Sequence, residues 1–116
     1  MIWYYGNEKP ASVERSIRLG QTQHKVNFNV EEINEGDYTY RWQSVTLEPG
    51  VFTYPAIVNA IVTERYPADR MQAVVNNYLD TPEDDTIVAE MREMQDWRAL
   101  AKKVAKDVLA LEGGGV

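Results

Sequence analysis

Cysteine is absent from the 116-residue chain. A disulfide-stapled module and a thiolate zinc site are therefore excluded. Histidine occurs once, as His24, so a metal site would need carboxylates alone or a second chain. Basic residues are outnumbered, 12 against 18 acids, for a formal charge of -6. A field of that sign repels nucleic acid and anionic membrane at long range. No stretch approaches the roughly 20 apolar residues that span a bilayer. Met1 to Gly6 is apolar and aromatic, but it is short and lacks the basic leading region of a signal peptide. A reducing, cytoplasmic setting is the expectation. The isolated glycines Gly6, Gly20, Gly36 and Gly50 form neither a dinucleotide fingerprint nor a phosphate loop. Ser12, Ser16 and Ser44 sit in no nucleophile-elbow context.

The apolar share is 44%, near the globular average, and the length suits one domain with one core. The pattern predicts an α+β fold in three parts. Residues 1–50 read as an antiparallel hairpin or small sheet, residues 51–80 as two short helices, and residues 81–111 as one long amphipathic helix. A flexible glycine tail is expected at 112–116.

In the first part, Ile2 to Tyr5 form an aromatic run suited to an edge strand. Lys25 to Val30 alternates polar and apolar residues, which predicts a strand with Val26, Phe28 and Val30 on one face. Asn34 to Asp37 has turn composition. Tyr38 to Leu47 then reads as the second hairpin strand. Tyr38, Tyr40, Trp42, Ser44 and Thr46 share one face, and Thr39, Arg41, Gln43, Val45 and Leu47 the other. A bulge would swap these faces. Residues 11–19 have weak periodicity and fit a short helix or a loop.

In the second part, Thr53 is placed to cap a helix with Pro55 in its first turn. Ile57, Val58, Ile61 and Val62 form its apolar stripe. Tyr66-Pro67 breaks it, and Pro67 opens a second helix with Asp69 near its positive end. Met71, Val74, Val75, Tyr78 and Leu79 are its buried candidates. Both helices are expected to pack on one face of the hairpin.

The third part begins with Thr81-Pro82-Glu83-Asp84, a start signal with Thr81 as the hydroxyl cap. Ile87, Met91, Met94, Trp97, Ala101, Val104, Val108 and Leu111 recur at near-heptad spacing. That stripe fits either a helix lying across the whole domain or one that meets a partner, including a homodimer through the helix. Acids dominate Asp80 to Asp96, and bases dominate Arg98 to Asp107, complementing the helix dipole.

The acidic pairs have structural explanations. Asp84-Asp85 favours a helix start, Glu90 and Glu93 face solvent, and Glu31-Glu32 leads into a turn. Carboxylate chemistry needs two groups facing across a cleft with one kept protonated. Glu64 and Asp69, which flank the turn between the two helices, are the candidates for a hydrolase-like alternative. Tyr38, Tyr40 and Trp42 beside Arg15, Arg18, Lys25 and Arg41 offer base-stacking groups. A weak single-stranded nucleic-acid module is thus a further alternative, opposed by the net charge. No catalytic, cofactor or metal set is assigned. Seven Tyr and three Trp favour contact surfaces, where such side chains bury area and keep a polar handle. Tyr40 and Trp42 suit core or interface, and Trp97 suits the core. With Arg98, Lys102 and Lys106, these three make up the expected protein interface.

A resemblance adds to this reading. It is carried by Tyr40-Arg41-Trp42-Gln43-Ser44-Val45-Thr46-Leu47, Pro49-Gly50, Tyr54 and Ala56-Ile57-Val58-Asn59-Ala60-Ile61-Val62. Tyr66, Asp69, Met71-Gln72-Ala73 and Asn76-Asn77-Tyr78-Leu79 continue it, and Met94-Gln95, Trp97-Arg98 and Ala101-Lys102 close it. Over residues 38–110 the chain resembles small uncharacterised proteins of prophage or mobile regions in gut Bacteroides-type bacteria, often encoded near tail or structural genes. Met94 to Lys102 is also similar to the Trp-Arg helix of tail-fibre assembly chaperones, although the proline-rich stretch after that tryptophan is missing here. The resemblance implies an assembly or interaction role with a phage tail or fibre component as partner, and it brings no catalytic motif.

Overall fold

The computed structural model describes residues 1–111; the expected tail at 112–116 lies outside them. Four antiparallel strands precede three helices: β1 (Tyr4–Gly6), β2 (Val13–Arg18), β3 (Gln21–Glu35), β4 (Tyr38–Thr46), α1 (Tyr54–Arg65), α2 (Ala68–Asp80) and α3 (Asp85–Leu111). The sheet order is β1-β4-β3-β2. The chain is thus α+β, with a long final helix.

The expected hairpin is β3–β4, and its register pairs Val26 with Val45 and Phe28 with Gln43. Those side chains are buried together with Leu47. Helices α1 and α3 cover this face, and Phe28 meets Trp97 edge-on with ring centroids 6.1 Å apart; α2, expected on the hairpin as well, packs on α3 instead. Tyr40 and Trp42 alternate with Arg41 and Gln43 and so belong to the opposite face.

Beyond Phe28 the pairing slips twice: Phe28 opposes Gln43, but Glu31 opposes Arg41, and Glu35 opposes Tyr38. Each slip adds one residue to β3, and each contains an asparagine at positive φ, Asn29 at 53° and Asn34 at 48°. Asparagine tolerates that region, and Asn29 also donates to Gln43 Oε1 at 2.7 Å. The first bulge takes Val30 out of the predicted Val26–Phe28 row. It lies instead beside Leu100 and Val104 in a groove along β3.

Residues 11–19 hold neither helix nor loop but mostly strand β2, which pairs with β3 from Val13↔Val26 to Arg18↔Gln21. Its pattern is illegible because only Val13 is buried. The link from β1 to β2 crosses from one sheet edge to the other and is tied by Asn27. The Asn27 side chain donates to Ala11 O at 2.7 Å and to Glu14 Oε2 at 2.8 Å, and its backbone N–H donates to Ser12 O. Asn27 is buried, and such a side chain must find partners.

Thr53 caps α1 through Ala56 N at 3.3 Å, with Pro55 in the first turn. Ile57, Ile61 and Val62 are buried, and Tyr66 ends the helix at 2% exposure. On α2, Val74 is buried while Met71, Val75 and Tyr78 are half-buried. Leu79 departs from expectation and is 69% exposed. It lies five residues past Val74, about 140° around the helix.

The start of α3 also differs. Asp84, not Thr81, is the cap: Asp84 Oδ1 accepts from Thr86 N at 2.9 Å and Ile87 N at 3.1 Å. Thr81 instead donates back to Asn77 O and closes α2. At 27 residues, α3 is about 40 Å long and spans most of a molecule measuring 47 × 37 × 26 Å. Met94, Trp97, Ala101, Ala105, Val108 and Leu109 are buried along it. Leu111, the last residue of the expected stripe, is 70% exposed.

Candidate functional site

The six expected interface residues separate into two places. Tyr40 and Trp42 are half-buried on the sheet face opposite the helices. Tyr4 pairs with Trp42, and Gly6 with Tyr40. The indole of Trp42 lies over Gly6 so closely that a Cβ there would meet Trp42 Cη2 at 2.9 Å. Lys25 Nζ sits 5.5 Å from the Tyr4 ring centre. The indole N–H of Trp42 is buried without a hydrogen-bond acceptor among the described residues. At the same end of the sheet, the Arg41 guanidinium stacks on Trp3 at 4.1 Å and bonds Glu31 Oε2 at 2.7 Å. The Glu31 hydrogen bond, above all, holds Arg41 in its charged form. These aromatics are held by their neighbours, which makes the patch firm.

The other place is on the helices. Trp97 is buried, and its indole N–H donates to Ile61 O at 2.9 Å. It cannot touch a partner directly; it fixes α3 against α1. That contact, and the approach of Arg65 to Glu93 at 3.9 Å, show that α1 and α3 run antiparallel. Arg98 and Lys102 therefore lie beside the first turns of α1. With Tyr54, Pro55, Val58, Val62 and Met71 they line a groove of about 340 Å³. Its floor is apolar and its rim carries two cations. Neither Arg98 nor Lys102 has an ion pair among the described residues, whereas Lys103 is neutralised by Asp107 at 2.7 Å. Lys106 is exposed one turn beyond and does not line the groove.

Sequence reasoning placed Val58 and Met71 in the core, but both are only half-buried. The available signal was the width of the apolar band on α1. Tyr54 and Val58 extend it past the Ile57–Ile61 line that α3 covers.

Glu64 and Asp69 stand on either side of Tyr66-Pro67, both exposed. Asp69 Oδ1 accepts from Arg70 N at 2.9 Å, the usual work of an acid at a helix start. Among the described residues, no three acidic or histidine side chains converge as a metal site would require. No described helix is long and apolar enough to cross a membrane. Of the eight-residue stripe on α3, Met94, Trp97, Ala101 and Val108 are buried in the chain's own core, while Ile87, Met91 and Val104 are half-buried.

His24 is placed against Phe52, with ring centroids 4.1 Å apart and planes 15° apart. Its Nδ1 is buried without a partner among the described residues. Desolvation, and then the nearby Arg15 charge, push its pKa below the ordinary histidine value. The half-buried ring, stacked on phenylalanine, supports the entry to α1.

No family model, no curated protein and no solved structure matches the chain.

Proposed function

We propose that the protein is a non-enzymatic interaction or assembly factor whose α1–α3 groove receives an apolar, acid-bearing segment of a partner protein. The observation that carries this reading is the pairing of an apolar floor with two cations that have no ion pair among the described residues, on an otherwise acidic molecule. An apolar side chain would lie on Tyr54, Val58 and Met71, and a carboxylate would meet Arg98 and Lys102. Arginine suits such a contact because its planar fork binds carboxylate in two places. The overall charge of -6 disfavours polyanions but leaves a local acidic group welcome at this rim. The resemblance to prophage-borne proteins and tail-fibre assembly chaperones makes a tail or fibre subunit the first partner to try.

Co-expression with neighbouring gene products, followed by purification on a tag, identifies what stays bound in stoichiometric amount. The partner's affinity is then measured against an Arg98→Glu, Lys102→Glu variant whose fold is checked by circular dichroism. A loss of tenfold or more supports the groove. Unchanged affinity, with the fold intact, overturns it. Lys106→Glu, outside the groove, serves as the control and should bind as the native chain does.

A further inference from the structure

The sheet order β1-β4-β3-β2 leaves β1 and β2 at its two edges. Strand β1 is only three residues long, and a short edge is a poor template for another chain. Strand β2 is six residues long, and it pairs with β3 from Val13↔Val26 to Arg18↔Gln21 without a bulge. It contains no proline and no lysine, and beyond Val13 its side chains are exposed. No described strand pairs with its outer edge. A regular, open edge of this kind is a ready template for another strand.

The hairpin turn fixes which backbone groups that edge offers. Leu19 at φ 53° and Gly20 at φ 74° form a two-residue turn of the type I′ kind, so Arg18 and Gln21 close it as a hydrogen-bonded pair. Bonded and non-bonded pairs alternate along an antiparallel ladder. Glu14 and Ser16 therefore bond to β3 as Arg18 does. Ser12, just before the strand, keeps the same phase, since its carbonyl accepts from Asn27 N at 2.9 Å. Opposite Arg15 and Ile17, the carbonyls of His24 and Thr22 bond on the far side of β3, to Leu47 N and Gly50 N. The N–H and C=O groups of Val13, Arg15 and Ile17 thus point away from β3, in the plane of the sheet. A strand that docks there must present an outward set of its own to them.

A second copy of β2 meets that demand when the two strands run antiparallel about a two-fold axis through one residue. An axis between residues would set an outward residue against an inward one. With the axis on Glu14 two carboxylates stand opposite each other, and with the axis on Arg15 two guanidinium groups do; like charges directly opposite are destabilising. With the axis on Ile17 less of the strand overlaps. The Ser16 axis is different. It sets Glu14 opposite Arg18 of the second copy, on the sheet face away from the helices, and does so twice by symmetry. Arg18 is exposed and has no ion pair among the described residues. Glu14 already receives Asn27 Nδ2 at 2.8 Å and Lys25 Nζ at 3.8 Å, but both contacts use Oε2 and neither uses Oε1. On the other face Ile17, 76% exposed, gains the aliphatic stem of Arg15 of the second copy. Charges on an edge strand ordinarily block pairing; those of β2 oppose the Glu14 and Arg15 registers and favour the Ser16 register.

We infer that β2 is a self-association edge: two copies of the chain join β2 to β2, antiparallel about Ser16, into one continuous sheet. The contact is isologous, so it closes at the dimer. Main-chain hydrogen bonds supply its affinity, as in other strand additions. The exposed Glu14–Arg18 pairs fix the register more than the strength. One short strand is a small interface, which places the dimer in the weak, transient class.

Sedimentation of the purified full chain, from micromolar to millimolar concentration, reads this out. The native chain should pass from monomer to dimer and stop there. Ile17→Pro removes an outward N–H that no bond inside the sheet uses, a position where an edge strand tolerates proline. It should stay monomeric with a native circular dichroism spectrum. Where it folds poorly, Ile17→Lys, which sets a cation opposite Arg15 of the second copy, should be monomeric instead. The register has its own readout, because the chain contains no cysteine. Ser16 lies on the axis as a non-bonded pair, where Cα atoms stand about 4.5 Å apart, within disulfide reach. Under mild oxidation Ser16→Cys should form a disulfide dimer about tenfold faster than Gln72→Cys, an exposed site on α2. The Arg98→Glu, Lys102→Glu variant should dimerise as the native chain does, which separates this edge from the partner groove. A native chain that stays monomeric at millimolar concentration, a mass that climbs past the dimer, dimerisation untouched by the Ile17 variants, or Ser16→Cys that crosslinks no faster than Gln72→Cys overturns the inference.

Discussion

Trp97 donates its indole N–H to the backbone carbonyl of Ile61 at 2.9 Å within the core, and together with the packing around it this bond aligns α3 along α1. Arg98 follows it in sequence, so the groove rim is placed by a buried contact one residue away.

Trp97→Phe should therefore cost about 1–2 kcal/mol, the price of an unmade buried hydrogen bond and a small void. Trp97→Ala should cost about 3–5 kcal/mol. Urea unfolding followed by far-ultraviolet circular dichroism measures both. The phenylalanine variant should also weaken partner binding, because its groove loses its alignment while its rim charges remain. A Phe variant as stable as the native chain would show that the bond contributes no net stability.

Gly6 and Trp42 make a second testable pair. A Cβ at Gly6 would sit 2.9 Å from Trp42 Cη2 and 3.2 Å from Cζ3, so the indole or the edge strand must move. Gly6→Ala should destabilise by about 1–2 kcal/mol, as overpacking does. In a Trp42→Leu background the same change should cost under about 0.5 kcal/mol, since the clashing atoms are gone. Equal costs in both backgrounds would show that the strain arises elsewhere.

These contacts explain which parts of the molecule the sequence made legible. The Val26–Phe28 alternation and the Ile57–Ile61 spacing were readable because one face is buried and the other wet. Strand β2 was not, since beyond Val13 both of its faces are exposed and no period survives. The bulges at Asn29 and Asn34 were not readable either; an extra residue leaves composition unchanged and shows only in the pairing. Arg98 and Lys102 could be named from charge sorting on α3. Their apolar floor could not, because it joins Tyr54 and Val58 to Met71, residues brought together only when α1 and α2 pack on α3.

The cap of α3 is a sharper case. Thr81-Pro82 looks like a helix start, yet Asp84 accepts from both Thr86 N and Ile87 N. A carboxylate here satisfies two end donors and also meets the positive end of the helix dipole. Asp84→Ala should lower stability by about 1 kcal/mol. Thr81→Ala should cost less, because its hydroxyl only repeats a contact that its own backbone N–H already makes with Asn77 O. Thermal unfolding of the two variants side by side decides between the residues. The reverse order of destabilisation would return the cap to Thr81.

His24 gives the pH dependence a sign. Its pKa in the folded chain is lowered by desolvation first and by Arg15 second, while in the unfolded chain it titrates near about 6.5. Between those two values the unfolded chain binds the proton and the folded chain does not, so stability falls as pH drops through that window. Above about 6.5 both states are neutral and this contribution is flat. Below the folded value both are protonated and the loss is complete. His24→Phe keeps the stack on Phe52 and removes the unpartnered Nδ1. It should match or exceed the native stability at pH 7 and lose less between pH 7 and 5.5. Urea midpoints at those two pH values measure the difference. A native chain that gains stability on acidification while the phenylalanine variant does not would mean that His24 is better solvated as a cation in the folded state, and that the stack on Phe52 does not hold it neutral.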